Sequence, residues 1–223
     1  MNLPINIIRH IVMITTLAIL GLGATGCNLV GPGLAFVAME QTKKIPAEYT
    51  ELSGKKVCLW VWSDESLRFE YPAVRIDAAN WAKHYIKQNV ENVDFVDPIR
   101  VHQFQESNYE ADVMPVVQVG RKFDADVVLF IQISDFTTRP PGSPNLFQGY
   151  LLAQCALYDC RGELPDESPK RKLWDGKVDV KFPDHPVSMM ESNDIKMRSA
   201  LLGMFGESLA KKFYEYKVKV GDM

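Results

Sequence analysis

The hydrophobic pattern changes character several times along the chain. Ile11 to Ala24 is an uncharged, mostly apolar run, and Asn28 to about Leu52 mixes Gly, Pro, Lys and small apolar residues without a lasting period. Ser53-Gly54 then make a turn before Lys56-Val-Cys-Leu-Trp-Val-Trp62, which is apolar on both faces and bounded by polar residues. That pattern predicts a central strand covered on both sides. Trp60 and Trp62 share one of its faces, and Val57, Leu59 and Val61 the other. Val74, Ala78, Trp81, Tyr85 and Ile86 recur at helical spacing, with Arg75, Asp77, Lys83 and Lys87 elsewhere around the helix. Val93-Asp-Phe-Val96 reads as a short second strand stopped at Asp97-Pro98.

Ile99 to Ser107 reads as a helix with Pro98 at its first position, and Pro115 to Asp124 as another short helix. Val127 to Phe136 carries the strongest strand pattern and is entered from Asp124-Ala-Asp126. Thr137 to Asn145 is a loop of hairpin length. Leu146 to Tyr158 is a long strand with Gly149 as a bulge, Asp159 to Lys170 a polar turn, and Lys172 to Phe182 a further strand. Ser188 with Glu191 matches a capping box ahead of Ile195, Leu202, Phe205, Leu209, Phe213 and Tyr216, which mark a C-terminal helix. The order β-α-β-α-α-β-β-β-α predicts one α/β domain of α+β-like character over residues 53–218. Its mixed sheet of about five strands is packed by helices, the last of them long.

Composition adds boundaries more than identity. The 223 residues are 47% hydrophobic and 10% aromatic, enough to fill a core. With 25 Lys plus Arg against 28 Asp plus Glu there is no basic excess, so there is little electrostatic drive toward nucleic acid.

The first 26 residues read as a processing segment. Arg9 and His10 end a short n-region in which Arg9 is the only fixed positive charge, the apolar run follows, and Ala24-Thr25-Gly26 place small residues just before Cys27. This resembles the bacterial lipoprotein signal, in which the cysteine is lipidated and becomes the first residue of the mature chain. The resemblance implies acyl chains, palmitate among them, on Cys27, and two or more buried chains give stable anchoring. In sorting of the proteobacterial kind, Asp after the lipidated cysteine retains the protein at the inner membrane. Asn28 stands here, so the expected address is the outer membrane, facing the periplasm. Residues 27–52 form the tether, with Ile45–Tyr49 placed to pack on the domain.

A second resemblance rests on Val119-Gly-Arg-Lys-Phe-Asp-Ala-Asp-Val-Val-Leu-Phe-Ile-Gln-Ile133, a phrase of helix, Gly, Ala-Asp and strand. It is similar to one in domains related to the curli-secretion lipoprotein, the penicillin-binding-protein activator lipoproteins and the amino-terminal domain of the Tol propeller protein. Lys56–Trp62, Val93–Asp97, Ala156–Asp159 and Lys172–Asp175 fall in the matching order. The resemblance implies a periplasm-facing module for protein–protein contact, without enzymatic chemistry. A secretion pore is not expected, because membrane-crossing strands need about 9–11 residues each and the loop Thr137–Asn145 is too short to supply them.

The search for chemistry returns few candidates. Ser63-Asp64-Glu65 ends the first strand, at the edge where open α/β sheets bind ligands. Asp64, Glu65 and Arg68 are therefore the candidate ligand-binding residues, against the alternative of a solvated loop. The loop Ser66–Pro72 presents Leu67, Phe69 and Tyr71, and the loop Pro140–Phe147 ends in Leu146 and Phe147. These five are the candidate partner-binding residues, and either loop could instead fold back on the core. His84, His102 and His185 are scattered, no metal or cofactor motif occurs, and no catalytic residues are assigned. Cys58, Cys155 and Cys160 are expected as buried free thiols, with a Cys58–Cys155 or Cys58–Cys160 disulfide as the alternative. The favoured function is a non-enzymatic accessory or assembly subunit that contacts an envelope protein or further copies of itself. A periplasmic module binding a small ligand near Ser63–Arg68 is the rival, and an enzyme built from dispersed carboxylates the third reading.

Overall fold

The computed structural model describes residues 42–219; the signal segment, Cys27 and the tether as far as residue 41 lie outside the described residues. The elements in chain order are β1 (Thr42–Ile45), β2 (Lys56–Ser63), α1 (Glu65–Glu70), α2 (Val74–Asn89), β3 (Asp94–Phe95), α3 (Pro98–Ser107), α4 (Val116–Lys122), β4 (Val127–Thr137), β5 (Leu146–Asp159), β6 (Lys172–Ser188), α5 (Asp194–Ala210) and β7 (Tyr216–Lys219). Short 3-10 turns occupy Ala111–Val113 and Pro169–Arg171. Lys44–Tyr216 form one compact unit, to which the described residues 42–43 and 217–219 do not belong. β1 and β7 make a two-stranded sheet.

Within the compact unit five strands form one mixed sheet in the order β3-β2-β4-β5-β6. β3 and β4 run parallel to β2, since each returns to it through helices, while β4, β5 and β6 form an antiparallel meander. One face packs on α2 and α5: Val57, Leu59, Val61, Leu129, Ile131, Leu151 and Ala153 share a core with Ala78, Ile86, Leu201, Leu202, Phe205 and Leu209. On the opposite face Cys58, Trp60 and Val128 meet Val101 of α3 and Val117 and Val119 of α4. The two-faced apolar pattern of β2 is thus explained by helices on both sides. That second cover ends at β4. On β5 and β6 the same face carries exposed Gln154, Asp175, Lys177, Asp179 and Lys181, consistent with the one-sided alternation of an antiparallel meander.

The structure corrects four sequence expectations. The loop expected at Ser66–Pro72 is mostly helix, because the Asp64 carboxylate accepts from the Leu67 N–H and from Ser66 Oγ, both at 2.8 Å, and caps α1. β6 continues past Phe182 to Ser188 through two prolines, which an edge strand tolerates. There the Gln148 amide donates to the carbonyls of Pro183 and Asp184 at 3.0 and 2.9 Å. Ser188 donates both its N–H and its hydroxyl to the Glu191 carboxylate, at 2.9 and 3.0 Å, but the pair closes a turn; α5 starts at Asp194, capped by Asn193, whose side chain accepts from the Lys196 N–H at 2.9 Å. The same helix ends at Ala210, so Phe213 is buried beyond it, Tyr216 belongs to β7, and Ile195 is exposed. The bulge expected near Gly149 is present, as a register shift between Phe147 and Gly149.

Candidate functional site

β2 and β4 are parallel, and their carboxyl ends meet the start of β5 and the end of β6 at one edge of the sheet. Every candidate ligand- and partner-binding residue from the sequence lies at this edge. Ser63, the last residue of β2, is fully buried, and its hydroxyl has no hydrogen-bond partner among the described residues. Asp64 is committed to the cap of α1, and the Leu67 N–H followed by the Ser66 hydroxyl holds its carboxyl below the usual range. Glu65 is exposed. Arg68 donates through Nη1 to Asp112 at 3.0 Å. The fold therefore separates Asp64, Glu65 and Arg68 into a cap, a solvated side chain and a bridge.

Asp112 also receives Arg75, with Nη2 to Oδ1 at 2.9 Å, so one carboxylate serves two guanidinium groups. The helical pattern puts Arg75 on the polar side of α2; the structure buries it, with its side chain 1% exposed. Burial pulls its pKa down and Asp112 opposes that pull. Nε of both arginines is buried without a partner among the described residues. Gln105 closes the other side, donating to the Val61 carbonyl at 2.9 Å. Neither Arg75, Asp112 nor Gln105 carries a motif, and only the meeting of α1, α2, α3 and the turn at Ala111–Val113 brings them together. An open depression of about 910 Å³ lies beside them, lined by Asp64, Glu65, Ser66, Phe69 and Glu70. It presents carboxylates and one aromatic ring, and neither arginine lines it.

The five partner-binding candidates divide by exposure. Phe69 is 90% exposed, whereas Tyr71 is buried edge-on against Phe136 with ring centroids 4.8 Å apart. Leu67 packs partly against the core, and Leu146 is half-buried. Phe147 is buried beneath the Arg139 guanidinium, 4.9 Å from its ring centroid. That guanidinium is fixed by Asp194 at 2.6 Å, and Thr138 donates to the same carboxylate at 2.6 Å. Arg139 and, secondarily, Thr138 hold the Asp194 carboxyl below its ordinary range. Other apolar residues at this edge are exposed without having drawn notice in the sequence: Tyr109 and Val113 beside Asp112, and Met189 and Met190 between β6 and α5; Ile195, expected in the buried stripe of the last helix, is exposed beside them. Single apolar residues in turns have no periodicity by which to be found.

Away from this edge, Asp126 accepts from the Lys56 N–H at 2.8 Å, and Asp124 lies 3.5 Å from Lys56 Nζ. Both occupy the helix-to-strand turn. Cys58 and Cys160 share the second core while Cys155 lies in the first; all three are free and buried. Burial pushes the Cys155 thiol up to about 12 and that of Cys160 to about 11, and raises Cys58 as well. His84 stacks edge-on against Trp81 and Tyr85. Among the described residues no group of three His, Cys, Asp or Glu side chains is placed to hold a metal ion, and no helix is long and apolar enough to cross a membrane.

No protein-family model matches the chain, and no curated protein does. Solved structures with similar architecture include the PelC dodecamer from Paraburkholderia phytofirmans, 10% identical over 76% of this chain and 96% of that one, with a TM-score of 0.43. Lipoprotein GNA1162 from Neisseria meningitidis is 18% identical over 67% of this chain and 90% of its own, at 0.38. The hypothetical protein CT253 from Chlamydia trachomatis is 13% identical over 72% and 92%, also at 0.38. Likeness at this level speaks to neither activity nor partner.

Proposed function

We propose that this chain is an outer-membrane lipoprotein held by acyl chains on Cys27, whose periplasm-facing α/β domain is a non-enzymatic accessory or assembly subunit. The module resembled by residues 119–133, that of the curli-secretion and penicillin-binding-protein activator lipoproteins, is the frame in which it works. The observation that carries this reading is the concentration of exposed large apolar side chains at one edge of the sheet. Phe69, Tyr109 and Val113 lie there on one side, and Met189, Met190 and Ile195 on the other, with Phe69 90% and Met190 96% exposed. Exposed apolar groups of this number favour burial against another protein.

Their position suits an anchored subunit. The backbone N–H groups of Glu48 and Tyr49 donate to the Lys212 carbonyl just beyond the end of α5, whereas the start of α5 is bound to Thr138 and Arg139. A helix of 17 residues is roughly 25 Å long at 1.5 Å per residue. The chain thus enters the domain one helix length from the apolar edge, which points that edge away from the tether's attachment.

The test is site-specific photocrosslinking of the full-length chain in its own envelope, with the crosslinker at position 69 or 190 and, as control, at 87 on the outer side of α2. Discrete adducts from 69 and 190 but not from 87 are expected. Cys27→Ala should release the chain into the soluble periplasmic fraction and remove those adducts. Equal labelling at all three positions, or an unlipidated chain that works normally, would overturn the reading.

A further inference from the structure

We infer that the outer edge of β6 is where two copies of this chain pair, antiparallel, about a two-fold axis at Val178. The sheet has two edges. β3 is only two residues long and offers little to pair with, but β6 is 17 residues long, and among the described residues no strand pairs with its outer side. A long open edge carries a row of unpaired backbone N–H and C=O groups, which a second strand can satisfy. The prolines at 183 and 186 interrupt the far end, which leaves Lys172–Phe182 as the part able to pair. At its middle, Lys177, Val178 and Asp179 border a cavity of about 200 Å³ whose other wall is Ser208, Lys211 and Lys212 at the end of α5 together with Tyr216, so a second copy here would pair beside the end of that helix.

The side chains specify the occupant. On the sheet face without helices, β6 presents Asp175, Lys177, Asp179 and Lys181 in strict alternation of sign, opposite Ala156, Gln154, Leu152 and Tyr150 of β5. Within one chain Lys177 lies 3.2 Å from Asp179, and neither is buried. An antiparallel partner of the same sequence, centred on Val178, sets Asp175 against Lys181 and Lys177 against Asp179, each twice by symmetry. Shifting the centre to Lys177 or to Asp179 sets like charges opposite each other, which is destabilising in directly facing pairs. Centres at Gly176 or Val180 retain only one of the two distinct pairs. The helix-covered face agrees with the favoured register: Val178 meets its own copy, Val180 meets Gly176, and Phe182 meets Trp174, whose indole already lies over Gly176. An unrelated acidic or basic strand could not satisfy this alternation, whereas a second copy does so without any change. This pairing uses a different surface from the apolar edge and does not depend on it.

The test is the native mass of the full-length protein, extracted in mild detergent and corrected for bound detergent. The parent should contain an even number of chains. Lys177→Glu with Lys181→Glu makes the edge uniformly acidic and should halve that mass. Reversing all four charges (Asp175→Lys, Lys177→Asp, Asp179→Lys, Lys181→Asp) preserves the alternation and should keep it. For the register, Asp175→Cys with Lys181→Cys in one chain should give an oxidant-dependent crosslinked dimer. Those two positions are about 20 Å apart along a single strand, and either substitution alone should give none. A parent with the mass of one chain, a mass unchanged by the two Lys→Glu substitutions, or crosslinking as efficient from either single cysteine would each overturn the proposal.

Discussion

Gly206→Ala offers a sharp test of how α5 is seated on α2. A methyl group at position 206 would lie 2.7 Å from the Trp81 carbonyl oxygen, 2.8 Å from its carbonyl carbon and 3.1 Å from its Cβ. Two of those atoms are helical backbone, which cannot swing aside as a side-chain tip can. Replacing Gly by Ala inside a helix contributes about 1 kcal/mol of helix propensity. Overpacking a well-filled contact costs about 1–3 kcal/mol, and a clash with backbone belongs at the upper end. The net expectation is a loss of about 2 kcal/mol, a fall in melting temperature of about 4–8 °C for a domain of this size. Gly203→Ala, one turn earlier, is the internal control. Its methyl group would meet only the Trp81 ring, at 3.7–3.9 Å, which is ordinary contact. There the propensity gain stands alone, and a rise of about 2–4 °C follows from roughly 1 kcal/mol. The assay is thermal unfolding of the full-length protein in detergent, followed by far-ultraviolet circular dichroism, with a urea titration as a second probe. If Gly206→Ala proves as stable as Gly203→Ala, the close approach of the two helices is not as described.

Two further predictions rest on buried groups. Asp112→Ala removes the carboxylate shared by Arg68 and Arg75 and leaves Arg75 buried without a counter-charge, which should cost about 3–5 kcal/mol; a change of less than about 1 kcal/mol in urea unfolding would show that the cluster behaves as a surface ion pair. Cys58, Cys155 and Cys160 are buried with raised pKa values, so none should react with a maleimide in the folded protein near neutral pH. All three should react after denaturation, and a fourth thiol appearing then would show that Cys27 carries no thioether lipid.

Much of the fold was legible because the chain's periodicities are local and strong. The two-faced run at Lys56–Trp62, the strand run at Val127–Phe136 and the stripe on α2 each depend on neighbours a few residues away, which is the range over which strand and helix geometry operate. The misreadings have equally local causes. Six residues of α1 are too few to establish a helical stripe, and Asp64 reads as a ligand carboxylate until its side chain is seen closing the first turn. Ser188 and Glu191 satisfy a capping pattern that a turn uses as well. Arg75 was the least legible: a charged residue in a helical pattern implies solvent, and only the arrival of Asp112, 37 positions away, makes its burial tolerable.

The mixed α/β class, the number of strands in the main sheet and the cover on both faces of β2 follow from the sequence by itself, because each is written in contiguous patterns. The tertiary structure decided which residues were spent on architecture. It turned Asp64 into a cap and Arg68 into a bridge, buried Tyr71 and Phe147, and left Phe69, Met189 and Met190 in the open. It also placed β6 at the rim of the sheet, where an alternating charge pattern that would be unremarked on an inner strand becomes a surface complementary to itself. Those outcomes depend on pairings between residues tens of positions apart, and the entropy of closing such loops is recovered only when the whole sheet forms.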